Sequence, residues 1–282
     1  MTGPAGASRR KAFLAAAPAD RPHTVLALDF DGTLAPLVSD PEQSRPAPGA
    51  MSVLAGLGDA GYRVAIVTGR APQTVARLAG LDKPADRPPP GLRHMVIHGH
   101  YGMQRWTSAE GLRSEVSDDD IAAVDRVRVA LPDLLAQHDA PDGVTVEDKD
   151  VSLVVHTRRT KDPQATLEAL TPALAELAEQ HGLRVEPGRF VCELRPYGAD
   201  KGGVMAELIA AHEAVTALYA GDDLGDLPAF AALADASGHG VRTLAVASGQ
   251  QHTDPRVEAA ADLTVDGPTG VVELLRDLLR RG

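Results

Sequence analysis

Residues 24–33 read Thr24-Val25-Leu26-Ala27-Leu28-Asp29-Phe30-Asp31-Gly32-Thr33, an apolar run that stops on two acids and a glycine. The pattern returns at residues 62–68, where Val64, Ala65, Ile66 and Val67 leave no polar face, and again at residues 95–98. A strand that is apolar on both faces belongs between two helix layers, the setting of a parallel sheet. Residues 50–61 read as a helix between the first two strands, and Pro72 opens another, because proline suits a first helical turn. Strand, helix, strand, helix, strand in this order predicts right-handed crossovers in a doubly wound α/β sheet.

From about Gln104 the strands begin to alternate in polarity, which predicts a second, α+β domain inserted into the first. Residues 118–138 and 163–181 read as helices; residues 144–147, 151–156, 184–186 and 190–195 read as strands. After Pro196 the buried style resumes, with a helix from Lys201, strands at 217–220 and 243–247 and a terminal helix near 271–280. The predicted organisation is therefore a core of residues 21–103 and 197–282 with an insertion of residues 104–196. Residues 1–20 read as a mobile tail or loose helix, and the Pro-rich stretch 83–91 as a loop.

The 282 residues are 44% apolar and only 3% aromatic, enough for a full core built from many small aliphatic contacts. A net charge of -11 disfavours nucleic acid and anionic membrane surfaces as partners, so a small molecule is the expected ligand. No apolar run approaches the roughly 18 residues of a membrane span, and no signal peptide is legible. The one cysteine, Cys192, lies in an apolar run and reads as a buried thiol in a reducing, cytoplasmic setting.

In an open parallel sheet, ligands gather beyond the carboxyl ends of the strands, so the residues that follow each buried strand carry the chemistry. After the first strand, Asp29 and Asp31 point the same way and Gly32 permits the sharp turn between them. One carboxylate can attack phosphorus while the other moves protons; an acidic turn that caps a helix would carry the same letters. Gly221-Asp222-Asp223-Leu224-Gly225-Asp226 follows a later strand and meets Asp29 if the two strands are neighbours. Converging carboxylates with a backbone carbonyl suit magnesium, with Asp222 the first choice of ligand. Asp226 would hold a coordinated water or orient a neighbour, and Asp223 would do likewise or cap the next turn. Thr68-Gly69-Arg70 offers a hydroxyl and backbone N–H groups to an anion, or is a plain helix cap with a solvated arginine. Lys201 opens a helix, where the macrodipole disfavours a cation, and a nearby phosphate would remove that conflict.

In combination, Asp29 to Thr33, Thr68, Lys201 and Gly221 to Asp226 resemble the haloacid dehalogenase superfamily. Residues 25–34, 99–104, 147–156, 192–202 and 219–230 further resemble the trehalose-6-phosphate phosphatases within it. The resemblance implies a Rossmann-like core, a mobile cap and magnesium held by Asp29, the Asp31 carbonyl and Asp222, with Asp226 nearby. It implies Asp29 as nucleophile, Asp31 as acid and base, and Thr68 and Lys201 as phosphate-binding groups assisted by Gly69 and Arg70. The expected substrate is a sugar phosphate, trehalose 6-phosphate first, with sucrose 6-phosphate or a mannosyl phosphoglycerate as alternatives. A phosphate sensor would do better without Asp31, which shortens the life of a phosphoaspartate; a carbohydrate-binding protein without turnover is the other reading.

The family places sugar contacts on the cap, where its pattern falls on Glu147, Lys149 and Glu193. Parity supports this, because all three alternate against apolar neighbours, although an open sheet face is also polar simply because water covers it. Two departures stand out. His100-Tyr101 replaces a common Asn-His pair, and Gly225 and Leu227 stand where threonine and glutamate are frequent. His98 and His100 form a His-x-His pair, but no further His or Cys has zinc-ligand spacing.

Overall fold

The computed structural model describes residues 4–82, 90–188, 190–250 and 253–281. The loop expected at 83–91 thus lies, as far as residue 89, outside the described residues.

Helix α1 (Pro4–Ala16) leads into strand β1 (Thr24–Leu28), followed by α2 (Ala50–Asp59), β2 (Arg63–Val67), α3 (Pro72–Leu78) and β3 (Val96–Gly99). A hairpin, β4 (Gln104–Thr107) and β5 (Gly111–Ser114), comes next. Then follow α4 (Asp118–Gln137), β6 (Thr145–Asp148), β7 (Leu153–His156), α5 (Pro163–Gln180), β8 (Leu183–Gly188) and β9 (Val191–Pro196). The chain closes with α6 (Lys201–Ala211), β10 (Thr216–Gly221), α7 (Leu227–Gly238), β11 (Arg242–Gly249), α8 (Pro255–Ala260), β12 (Leu263–Asp266) and α9 (Gly267–Arg281).

The large sheet has the order β12-β11-β10-β1-β2-β3-β4-β5, parallel except for the hairpin at its end. From β1 the chain winds outward one way through β2 and β3, then returns to the other side of β1 for β10. The β1/β10 pair, in register from Thr24↔Thr216 to Leu28↔Ala220, is therefore the topological switch point where ligands collect in such sheets. Each face of the sheet has its own core. Leu26, Leu28, Ile66, Leu218 and Val246 pack with α1, α2, α3 and α9, whereas Val25, Ala27, Val67, Tyr219 and Ala247 pack with α6, α7 and α8. This alternation along each strand explains why both faces had to be apolar.

The chain divides into two compact units, residues 1–114 with 200–282, and residues 115–199. The insertion thus begins later than the change of polarity at Gln104 suggested. The hairpin β4/β5 alternates because it is antiparallel and lies at the sheet's edge, not because a new unit has begun. The N-terminal segment also differs from a mobile tail: α1 buries Phe13 and Leu14 against the core, at 1% and 5% exposure. Strand β12, not anticipated from the sequence, extends the other edge.

In the second unit, an antiparallel sheet ordered β6-β7-β9-β8 carries α4 and α5 on one face. Leu153, Val155, Cys192, Leu194, Leu183 and Val185 fill the layer between sheet and helices. Ser117 and Asp162 cap the two helices by accepting from the N–H groups of Asp120 and Ala165.

Candidate active site

At the end of β1 the Asp29 N–H donates to Ala220 O at 2.9 Å, so the switch point remains paired up to the first acid. Asp29 is 5% exposed, and Lys201 Nζ lies 3.0 Å from its Oδ1. Lys201 is the first residue of α6, whose N-cap Asp200 accepts from the Gly203 N–H. A cation there opposes the macrodipole. Two carboxylates, not a phosphate alone, answer that conflict: Asp29, and Asp226 at 2.7 Å. Burial alone would lower the ammonium's pKa, but Asp226 and Asp29 outweigh it and hold the group charged.

Asp226 is fully buried. Its Oδ1 accepts from Lys201 Nζ and from the Tyr219 hydroxyl, both at 2.7 Å, and its Oδ2 accepts from the N–H groups of Asp222 and Asp223 at 2.8 and 3.0 Å. Four donors occupy the roughly four lone-pair positions of a carboxylate. Burial would raise the acid's pKa, yet Lys201 and the hydrogen bonds bring it below the ordinary carboxylate value. Oxygens of Asp29, Asp222 and Asp226 lie within 4.8 Å of one another. Of the three, Asp29 and Asp222 keep lone pairs for a cation.

Those two carboxyls are hard to ionise where they lie. Burial, followed by Asp226 and Asp223, pushes Asp222 up to about 7. Burial also raises Asp29, with Lys201 opposing and Asp226 adding to the rise. A donor set of hard oxygens whose burial, with mutual repulsion adding to it, suppresses ionisation fits a divalent cation. Gly32 keeps the arrangement close: at φ +74° it adopts the left-handed region, and a Cβ on it would overlap the Asp222 carboxylate. Ser248 Oγ and Gln250 Nε2 donate to the Gly32 carbonyl and hold that turn from β11.

Asp31, expected as the acid and base, is held by its neighbours. Arg70 grips it with both Nε and Nη2, and Ser44 Oγ donates to it at 3.2 Å. Arg70 also donates to Pro41 O and lies over the Phe30 ring at 5.9 Å. The arginine expected to hold substrate therefore holds Asp31. Thr68, 2% exposed, accepts from the Arg70 N–H at 3.2 Å, which keeps its own hydroxyl proton available. Gly69 lies in the same turn, and α3 begins only at Pro72.

In the second unit, Glu147 on β6 and Glu193 on β9 both pair with Val154 of β7, which sets them on one face of that sheet, away from the helices. Ser152 Oγ donates to Glu193 Oε1 at 2.6 Å, and Lys149 Nζ reaches the same oxygen at 3.4 Å. His156 lies 2.9 Å from Glu147. Parity had placed the two glutamates and Lys149 together; Ser152 and His156 complete the polar face. His98 and His100 are both buried, at 4% and 2% exposure.

A family model described as trehalose-phosphatase matches residues 27–261. The chain belongs to that family. A trehalose-phosphate phosphatase of Mycobacterium avium is 31% identical over 270 residues, covering 92% of this chain and 64% of that protein. The chain thus spans just under two thirds of the length of this relative. The trehalose-6-phosphate phosphatase C-terminal domain of C. albicans has the same fold, with a TM-score of 0.72 at 20% identity and 96% of each chain covered. A haloacid dehalogenase-like hydrolase from Bacteroides thetaiotaomicron shares it at a TM-score of 0.63 and 16% identity, over 90% of this chain and 98% of that one.

Several residues of this candidate site escaped the sequence reading. Tyr219 is hidden because an aromatic residue inside a buried strand reads as core, and Ser44, Ser248 and Gln250 because they come from loops and a strand end far away in sequence. The one available signal was polarity where burial was expected: Ser248 follows an apolar run directly.

Proposed function

We propose that this chain is a magnesium-dependent phosphatase that hydrolyses trehalose 6-phosphate to trehalose and phosphate through an aspartyl phosphate on Asp29. The observation that carries the reading is the buried Asp29–Lys201–Asp226 cluster at the switch point, beside Asp222. Membership of the trehalose-phosphatase family supports the substrate.

Phosphate monoesters react so slowly in water that the barrier must fall by on the order of 20 kcal/mol. An Asp29 oxygen attacks phosphorus as the bond to the sugar oxygen breaks, and the leaving sugar takes its proton from the Asp31 carboxyl. In the second half, water gives a proton to the Asp31 carboxylate and attacks phosphorus, the bond to Asp29 breaks, and inorganic phosphate leaves. Asp31 must leave Arg70 and take up a proton from solvent before it can serve the leaving oxygen, and the water-activation step then returns it to the protonated form. Lys201, locked between two carboxylates, offers its remaining donor to the phosphoryl oxygens, and the Thr68 hydroxyl offers another. Asp29 and Asp222, with the Asp31 carbonyl, would hold magnesium, which would supply neutralisation of phosphoryl charge. Asp226 serves as the anchor of Lys201 and of the Asp222–Asp223 turn.

Glu147, Lys149 and Glu193 form the surface proposed to read the sugar, because carboxylates accept from several hydroxyls at once. Residues 115–199 then serve as the specificity cap. The buried free thiol of Cys192 is compatible with a cytoplasmic setting.

The test is phosphate release from trehalose 6-phosphate, glucose 6-phosphate and sucrose 6-phosphate, with magnesium and with excess chelator. Trehalose 6-phosphate should lead, and both chelator and Asp29→Asn should abolish turnover. Another sugar in the lead would overturn the substrate, and an active Asp29→Asn would overturn the covalent step.

A further inference from the structure

Tyr101 lies just past β3, at φ 59° and ψ 30°, the left-handed region that non-glycine residues rarely adopt. The backbone is pinned there. Its N–H donates to Thr68 O at 3.0 Å, and the N–H of His100, itself at φ 49°, donates to Arg70 O at 3.0 Å. The loop after β3 is thereby bolted to both ends of the Thr68-Gly69-Arg70 turn. Such conformations cost on the order of 1 kcal/mol each and persist where the surroundings fix them, often at functional sites.

The side chain has a defined place. A Cβ built on Gly69 would lie 2.9 Å from both the Tyr101 Cζ and the hydroxyl oxygen, so the phenol end rests on the backbone of that turn. On the other side, a Cβ on Gly225 would lie 3.8 Å from Tyr101 Cε1. The ring therefore lies between the Thr68 turn and the acidic loop: Gly69 must lack a Cβ for it to fit, whereas at Gly225 the contact with the ring would be an ordinary one. Partly exposed, it ends in a hydroxyl against Gly69, in the turn that also carries Thr68.

We infer that Tyr101 is a phosphate-binding residue of this site, its hydroxyl donating a hydrogen bond to an oxygen of the ester's phosphate. The inference rests on the phosphatase reading above. A phenol is a neutral donor on a rigid arm, so it adds an anion contact without altering the balance between Lys201 and its two carboxylates.

Wild type and Tyr101→Phe are compared to test it. Each is assayed for KM, kcat and binding of inorganic phosphate by calorimetry in the presence of magnesium. Tyr101→Phe keeps the ring and removes only the donor, so phosphate binding should weaken about tenfold and KM rise in step, with kcat changed less than about threefold. Phosphate binding and KM equal to wild type would overturn the hydroxyl's role. A wild type that binds phosphate but hydrolyses no ester would instead remove the phosphatase reading, while the comparison of phosphate binding with Tyr101→Phe would still decide the contact.

Discussion

Asp222 and Asp226 stand four residues apart in one acidic loop, and their surroundings give them opposite signs. Asp226 is paid for by four donors, and Asn at that position turns an acceptor into a donor facing Lys201 or two backbone N–H groups. Breaking a buried pair in this way costs about 3–5 kcal/mol, so Asp226→Asn should lower the urea midpoint markedly. Asp222 is raised to about 7 by burial and its acidic neighbours, so above that pH its ionised form subtracts stability that the unfolded chain, titrating near 4, does not lose. Asp222→Asn should therefore raise metal-free stability at pH 8, by about 1–3 kcal/mol, and, on the proposed metal site, remove the stabilisation by magnesium expected of wild type. Urea melts with chelator and with magnesium measure both; destabilisation of the same size in the two variants would contradict this division. The letters Gly-Asp-Asp-Leu-Gly-Asp announced an acidic site but not this asymmetry, because Tyr219 and Lys201, which decide it, come from a strand and a helix. Asp31 carries the same lesson: spacing put it beside Asp29, and only the fold reveals Arg70 across from it.

Elements were legible where burial is two-sided. β1, β2, β10 and β11 could be read because no polar residue interrupts them, and α4 and α5 because their apolar residues recur with helical period and a Ser or Asp stands before each. The β4/β5 hairpin and β12 were misread or missed because edge strands bury one side only, so their pattern resembles a change of domain or a loop. β3 conceals a further property in its one polar residue. Burial, with Arg105 adding to it, lowers the His98 imidazole to about 4 from 6.5. Between those values the unfolded chain takes up a proton that the folded chain refuses. Stability is thus intact above about pH 6.5 and erodes as pH falls toward 4, by up to about 3 kcal/mol for this residue. His98→Gln should accordingly lose about 2 kcal/mol less than wild type between pH 7 and 4.5. Parallel acid limbs in urea titrations of the two proteins would exclude His98 as a source of acid sensitivity.

As a whole molecule, the protein contains one unit that is continuous in sequence and one that is not. Residues 115–199 hold a closed layer of Leu, Val and Ala between sheet and helices. We expect this segment, expressed alone, to melt cooperatively by circular dichroism; a broad, featureless transition would show that it depends on the rest of the chain. The larger unit has no such independence, because its central strand β1 pairs on one side with β2, close in sequence, and on the other with β10, from Thr24↔Thr216 onward. During synthesis, β1 and its acids leave the ribosome long before the partner that completes them. The inserted unit has by then emerged whole and can fold first, as contiguous units do at about 5–20 residues per second. Until β10 arrives, the nascent chain carries an open apolar strand edge. Chaperone demand during translation should therefore peak in the interval between the two halves of the nucleotide sequence that encode this one sheet.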